Sequence, residues 1–243
     1  MTEPTITTLE DAAAVSSAVA QHVAQAIQAK PKLTLGLATG NTFRAIYADL
    51  VALYEKGGFS LAQAKAFNLD EYVGLAADHP ASFATYMKQH LFNHVDFAPG
   101  AARLPEVAGG DIAAACAAYE QAIATAGGID LQLLGIGRNG HIGFNEPGSP
   151  FDSRTREVAL TASTQSANAV DFPPGEAVPP TAATMGIGSI LDAREIVLVV
   201  TGAHKAEALH RAFHADPSID CPASALHRHH NVHVFCDKAA AGL

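Results

Sequence analysis

Apolar runs too short to be helices alternate along this chain with longer stretches of helical period, and few folds accommodate that alternation. "LTLGLA" (33–38), "AKAFNL" (64–69), "IDLQLLGIG" (129–137), "EIVLVVTG" (195–202) and "VHVFCD" (232–237) read as strands. "LEDAAAVSSAVAQHVAQAIQAK" (9–30), "FRAIYADLVALYEKG" (43–57), "SFATYMKQHLFNHV" (82–95), "DIAAACAAYEQAIATAGG" (111–128) and "HKAEALHRAFHA" (204–215) read as helices. Pro31 stops the first, Gly57 and Gly58 close the second, and Asp111 is placed to cap the fourth. Strands apolar at successive positions are covered on both faces. The expected fold is therefore α/β: a single-domain, Rossmann-like, open and mostly parallel sheet with helices on both faces. No linker or repeat divides residues 1–243. The Pro-rich stretch "DFPPGEAVPP" (171–180) is too short for a boundary, and the region around 160–180 reads either as a lid over a site or as an inert surface connection.

With 49% hydrophobic and 16% charged residues, the chain can bury a substantial core without staples. A formal charge of −9 argues against a nucleic-acid surface, which needs clustered Lys and Arg, yet leaves room for a local anion site. Cys116, Cys221 and Cys236 are odd in number and widely spaced, a pattern that suits a reducing compartment and buried small hydrophobes. The start "MTEPTITTLED" has neither a basic region nor an apolar one, so no secretory signal is expected there. No apolar run approaches the roughly 18–20 residues of a membrane span. These readings together predict a cytoplasmic protein with neither a nucleic-acid nor a membrane partner.

Ligands of open parallel sheets bind beyond the carboxyl ends of the strands. Four polar segments follow predicted strands: "TGNT" (39–42), "DEY" (70–72), "GRNGHIGFNEP" (137–147) and "TGAHK" (201–205). They are expected on one rim. Thr39, Gly40, Asn41 and Thr42 form a strand-to-helix turn whose free N–H groups suit a phosphate, without the P-loop spacing of a nucleotide site. Lys205 opposes the dipole of the helix it opens. An anion would explain it, although alone it reads as a solvated surface lysine. Asp70 and Glu71 point in different directions, so at most one enters the site, where it could act as a base toward a carbon acid; without that context they read as an acidic turn. In the third segment His141 can exchange protons near neutrality, Glu146 can fix its tautomer, and Asn139 can bond without ionising. His227, His229, His230 and His233 invite a metal reading. Strand alternation separates neighbours among them, so no metal site is expected.

Taken together, "LGLATGNT", "FNLDEYVGL", "LLGIGRNGHIGFNEPGSPFDSRTR", "TMGIGSILDA", "TGAHKAEAL" and "VFCD" resemble, in order, the glucosamine-6-phosphate deaminases of the sugar-phosphate isomerase/6-phosphogluconolactonase superfamily. The resemblance spans essentially the whole chain. It implies aldose–ketose isomerisation with deamination of an amino-sugar phosphate, yielding fructose 6-phosphate and ammonia without cofactor or metal. It further implies Asp70 as the base between C2 and C1, and His141 as the ring-opening group supported by Asn139 and Glu146. Asn139 stands where some members carry Asp. Val170 stands where many place a phosphate-binding Arg, which leaves the phosphate to Thr39–Thr42 and Lys205 or to a compensating donor. Val158 and Ala159 replace a Lys–Thr pair of the allosteric hexamers, and the chain ends at Leu243. The expectation is a monomer or small homo-oligomer not activated by N-acetylglucosamine 6-phosphate. Competing readings are a galactosamine-6-phosphate deaminase/isomerase, a 6-phosphogluconolactonase, and a sugar-phosphate-sensing regulatory domain.

Overall fold

The described residues form ten strands: β1 (Thr5–Leu9), β2 (Thr34–Leu37), β3 (Lys65–Asn68), β4 (Asp70–Tyr72), β5 (Ala102–Arg103), β6 (Leu131–Gly135), β7 (Arg156–Ala159), β8 (Thr181–Thr184), β9 (Glu195–Val200) and β10 (Val232–Asp237). They are joined by the helices α1 (Ala12–Ala29), α2 (Asn41–Glu55), α3 (Phe83–His90), α4 (Ile112–Thr125), α5 (Ala162–Asn168), α6 (Ile187–Leu191) and α7 (Ala206–His214). These elements come from a computed structural model, which describes residues 4–243. Residues 1–3, where the sequence was searched for a leader, lie outside the described residues.

Burial sets the layers. All four residues of β2 are buried, as are five of the six in β9, so successive side chains are covered on opposite faces of the sheet. Seven strands form one parallel sheet in the order β1-β10-β9-β6-β2-β3-β5. From β2 the chain moves outward through β3 to β5, then returns to place β6 on the other side of β2. Strand order thus reverses between β2 and β6, which opens a crevice at their carboxyl ends. The ends of β3 and β9 border the same crevice.

A second sheet, antiparallel and ordered β4-β8-β7, leans over this rim. Sequence periodicity did not show it: its strands have three or four residues, and the apolar clusters it joins are small, one around Tyr72, Phe144, Leu160, Phe172 and Ala182 and one of Val107, Cys116 and Ala183. Two main-sheet strands were missed for related reasons. β5 has two residues, and β1 is a largely exposed edge strand without a continuous apolar run. The helix expected over 82–95 ends at His90, because Leu91 leaves helical geometry before a 3₁₀ turn at Phe92–His94. The helix expected from 204 begins at Ala206, after a 3₁₀ turn at Ala203–Lys205. Residues 160–180 are only partly irregular, since they contain α5 and a 3₁₀ turn at Ala169–Asp171. Among the described residues no helix is long and apolar enough to cross a membrane.

Candidate active site

The crevice holds a cavity of about 360 Å³, walled by Ala38–Phe43, Leu69–Asp70, Gly135–Gly137, His141, Gly143–Phe144, Asn168, Val199–Thr201 and His204–Lys205. The four polar rim segments therefore do converge. At the start of α2, Gly40 has φ +108, a conformation that L side chains avoid, and it turns the chain so that the helix N-terminus faces the cavity. No side chain caps that end. The first N–H groups of α2 and the hydroxyls of Thr39 and Thr42 thus line the cavity as donors for an anion.

Asp70 and Glu71 are both buried, yet they do opposite things. Strand alternation in β4 sends Asp70 to the cavity and Glu71 away from it. Glu71 accepts the backbone N–H groups of Tyr72, Phe83 and Ala84 at 2.9–3.0 Å, anchoring the start of α3. Asp70 gains no such donors. Burial, reinforced by the Glu71 carboxylate, pushes its pKa up to about 8. A carboxylate with that affinity for protons, facing this cavity, can take one from carbon once it is ionised.

The loop after β6 presents the histidine. Its imidazole lies over Gly137, where any Cβ would fall within 2.2 Å of the ring, so a glycine is required there. Gly143, at φ +54, packs against Thr184 and lies beside Asp70, bringing the loop up to β4. Asn139 Nδ2 donates to Glu146 Oε2 at 2.7 Å, and Asn139 Oδ1 accepts the His141 backbone N–H at 3.2 Å. His141 Nδ1 faces Glu146 Oε2 at 3.5 Å, an ion-pair separation rather than a short hydrogen bond, and has no other partner. That interaction with His141, helped by the Thr164 and Asn139 hydrogen bonds, holds the Glu146 pKa down near 2. Glu146 is therefore a fixed negative charge at neutral pH, behind an imidazole whose ring borders the cavity.

Lys205 lines the cavity with its stem half-buried, and Nζ donates to Ile136 O at 2.5 Å. Burial, then the nearby Arg138 charge, lowers its pKa. His204 is lowered by desolvation and by the same two cations. Lys205, with the Arg138 charge near it, thus puts positive charge on the cavity of a chain that is acidic overall. Val170 projects into solvent, 81% exposed, and contributes nothing to the cavity. The neighbouring Asp171 pairs with Arg44 of α2 at 3.1 Å. His229 is buried and bonds Ala193 O, while His233 faces Glu195 at 3.8 Å. None of the histidines of 227–233 lines this cavity.

A sequence profile described as glucosamine-6-phosphate isomerases/6-phosphogluconolactonase matches residues 7–235. The chain belongs to this family. A glucosamine-6-phosphate deaminase of Rhodopirellula baltica (strain SH1) is 49% identical over 233 residues, 96% of this chain and 93% of that protein. One from Cellvibrio japonicus (strain Ueda107) is 48% identical, over 96% of this chain and 89% of its own length. Among solved structures, a monomeric glucosamine-6-phosphate deaminase superposes with a TM-score of 0.95 at 43% identity, covering 98% of this chain and 99% of that one. A 6-phosphogluconolactonase from Trypanosoma cruzi reaches 0.77 at 19% identity, a likeness of fold alone. Sequence reasoning passed over several residues that border this family's cavity here. Gly137, Thr201 and His204 sit in segments it had already placed on the rim. Asn168, which donates to Tyr72 Oη at 2.8 Å, carried no local signal.

Proposed function

We propose that this protein converts glucosamine 6-phosphate and water to fructose 6-phosphate and ammonia. The observation that carries this reading is the pair of opposed proton-handling groups on one cavity: Asp70 with its pKa raised to about 8, and His141 backed by an ionised Glu146. The substrate phosphate sits on the Thr39–Thr42 turn, with Lys205 supplying charge. His141 moves a proton between the sugar oxygens as the pyranose ring opens. Glu146 and Asn139 hold the imidazole in the orientation this needs. Asp70 then removes the C2 proton and returns it to C1, while O1 gains a proton and the amine nitrogen gives one up, leaving a hydroxyl on C1 and an imine at C2. Water adds to that carbon, and ammonia departs with the C2–N bond electrons. The nearly full-length likeness to glucosamine-6-phosphate deaminases supports this substrate over a lactone. Likeness to a monomeric deaminase supports a monomer, and three free, buried cysteines suit the reducing cytoplasm. The test supplies purified protein separately with glucosamine 6-phosphate, galactosamine 6-phosphate and 6-phosphogluconolactone. Ammonia matched by fructose 6-phosphate from the first is expected. Turnover of only one of the other two would move the chemistry to that substrate.

A further inference from the structure

Glu146 has two carboxylate oxygens, and residues 160–171 engage one of them. Oε2 serves Asn139 and faces His141. Oε1 accepts the Thr164 hydroxyl at 2.6 Å, a length typical of a charge-assisted O–H···O⁻ bond. Thr164 Oγ1 in turn accepts from Thr161 Oγ1 at 2.9 Å. Thr161 caps α5, its hydroxyl oxygen accepting the Thr164 backbone N–H, so the Thr164 hydroxyl is not needed to start the helix. The other end of this segment is tied elsewhere: Asn168 bonds Tyr72, two residues from Asp70, and Asp171 pairs with Arg44. One short segment therefore spans both halves of the candidate chemistry.

A carboxylate rotates easily about its last torsion, whose energy wells are broad. Without Thr164, Oε1 would keep only the long 3.4 Å contact from the Thr161 hydroxyl, and Glu146 could turn either oxygen, or neither, toward His141. We propose that Thr164 is a positioning residue for the ring-opening step: its hydroxyl, delivered by α5, pins Oε1 so that Oε2 faces His141, which makes the docked segment part of the acid–base apparatus. This proposal rests on the deaminase reading above. The titratable group facing Glu146 is His141, and its remaining partners, Asn139, Thr161 and Thr164, are neutral. Thr164 is also among the donors that keep Glu146 ionised.

The test compares Thr164→Val and Thr164→Ser with the wild-type enzyme. Turnover of glucosamine 6-phosphate should fall about tenfold or more in Thr164→Val, with KM within about twofold because the phosphate seat is untouched. The loss should shrink on an open-chain analogue, and Thr164→Ser should restore the rate. In ligand-free protein, the Glu146 carboxyl ¹³C resonance should move toward the ordinary glutamate range near 4.3 in Thr164→Val, since the ionised form has lost a donor. Wild-type turnover with an unmoved Glu146 titration in Thr164→Val would overturn the proposal. So would a Thr164→Ser enzyme as impaired as Thr164→Val, which would assign the loss to packing. A wild-type protein releasing no ammonia would overturn the deaminase reading. The carboxyl titration needs no substrate and would still decide the Thr164 contact: a shift sustains it and no shift ends it.

Discussion

Because Asp70 binds its proton up to about pH 8 in the folded protein against about 3.8 when unfolded, its ionisation opposes folding. Between those values the native state holds more protons than the unfolded one, so stability falls as pH rises across the window. Asp70→Asn removes that term. Melting curves should show the variant and wild type nearly equal at pH 4, with the variant higher by about 5 °C or more at pH 8. A gap that does not grow with pH would contradict the environment assigned to Asp70. His141→Gln is expected to lose about 100-fold or more in turnover of the ring-closed sugar and clearly less with an open-chain analogue. Equal losses on both would remove His141 from ring opening. Strand period alone limited the Asp70–Glu71 pair to one cavity-facing member, and the motif resemblance pointed to Asp70. What no local pattern could reveal is why Glu71 faces away: its three N–H donors include two from residues 83 and 84, beyond an irregular loop.

The turns after β2, β6 and β9 were legible because each follows a short apolar run and carries Gly with hydroxyl, amide or charged neighbours; the segment after β3, read as an acidic turn, is the strand β4. The loop after β6 depends on Gly137 most directly. Gly137→Ala would put a methyl carbon inside the space of the His141 ring, so the ring must swing away. The expected outcome is a loss of turnover of about 100-fold with little change in far-UV circular dichroism, and with KM less affected than kcat. An active Gly137→Ala enzyme would show that the ring position over Gly137 is dispensable. The elements that escaped the sequence reading are those stabilised from a distance. β4, β7 and β8 exist through pairings such as Asp70↔Thr184 and Arg156↔Thr184, which join segments more than a hundred and nearly thirty residues apart. Their short, mixed sequences hold no alternation that would announce them.

For the molecule as a whole, strand order does the organising. Because the order reverses between β2 and β6, the turn at 39–42 and the histidine loop become neighbours without any long insertion. The parallel sheet was readable from apolar alternation, but its order was not, since periodicity carries no information about which strand pairs with which. The distribution of charge follows the same division. The net charge of −9 belongs to the whole chain, while Lys205 lines the cavity with the Arg138 charge near it. Lys205→Ala should therefore raise KM about tenfold or more while changing kcat less, with the effect shrinking at high salt. A kcat-only defect would place Lys205 outside substrate binding. Light scattering should return a mass near 25.2 kDa, that of a single chain; a sixfold mass would contradict the monomer.

The most direct test of the whole account is ammonia release from glucosamine 6-phosphate by the wild-type protein and by Asp70→Asn, with fructose 6-phosphate measured in the same samples. The account predicts equal amounts of both products from the wild type and a loss of about 10³-fold in the variant, which should still bind a phosphorylated sugar analogue. Asp70→Asn turnover within a few-fold of wild type would contradict it, as would a wild-type protein that binds the sugar phosphate and releases no ammonia.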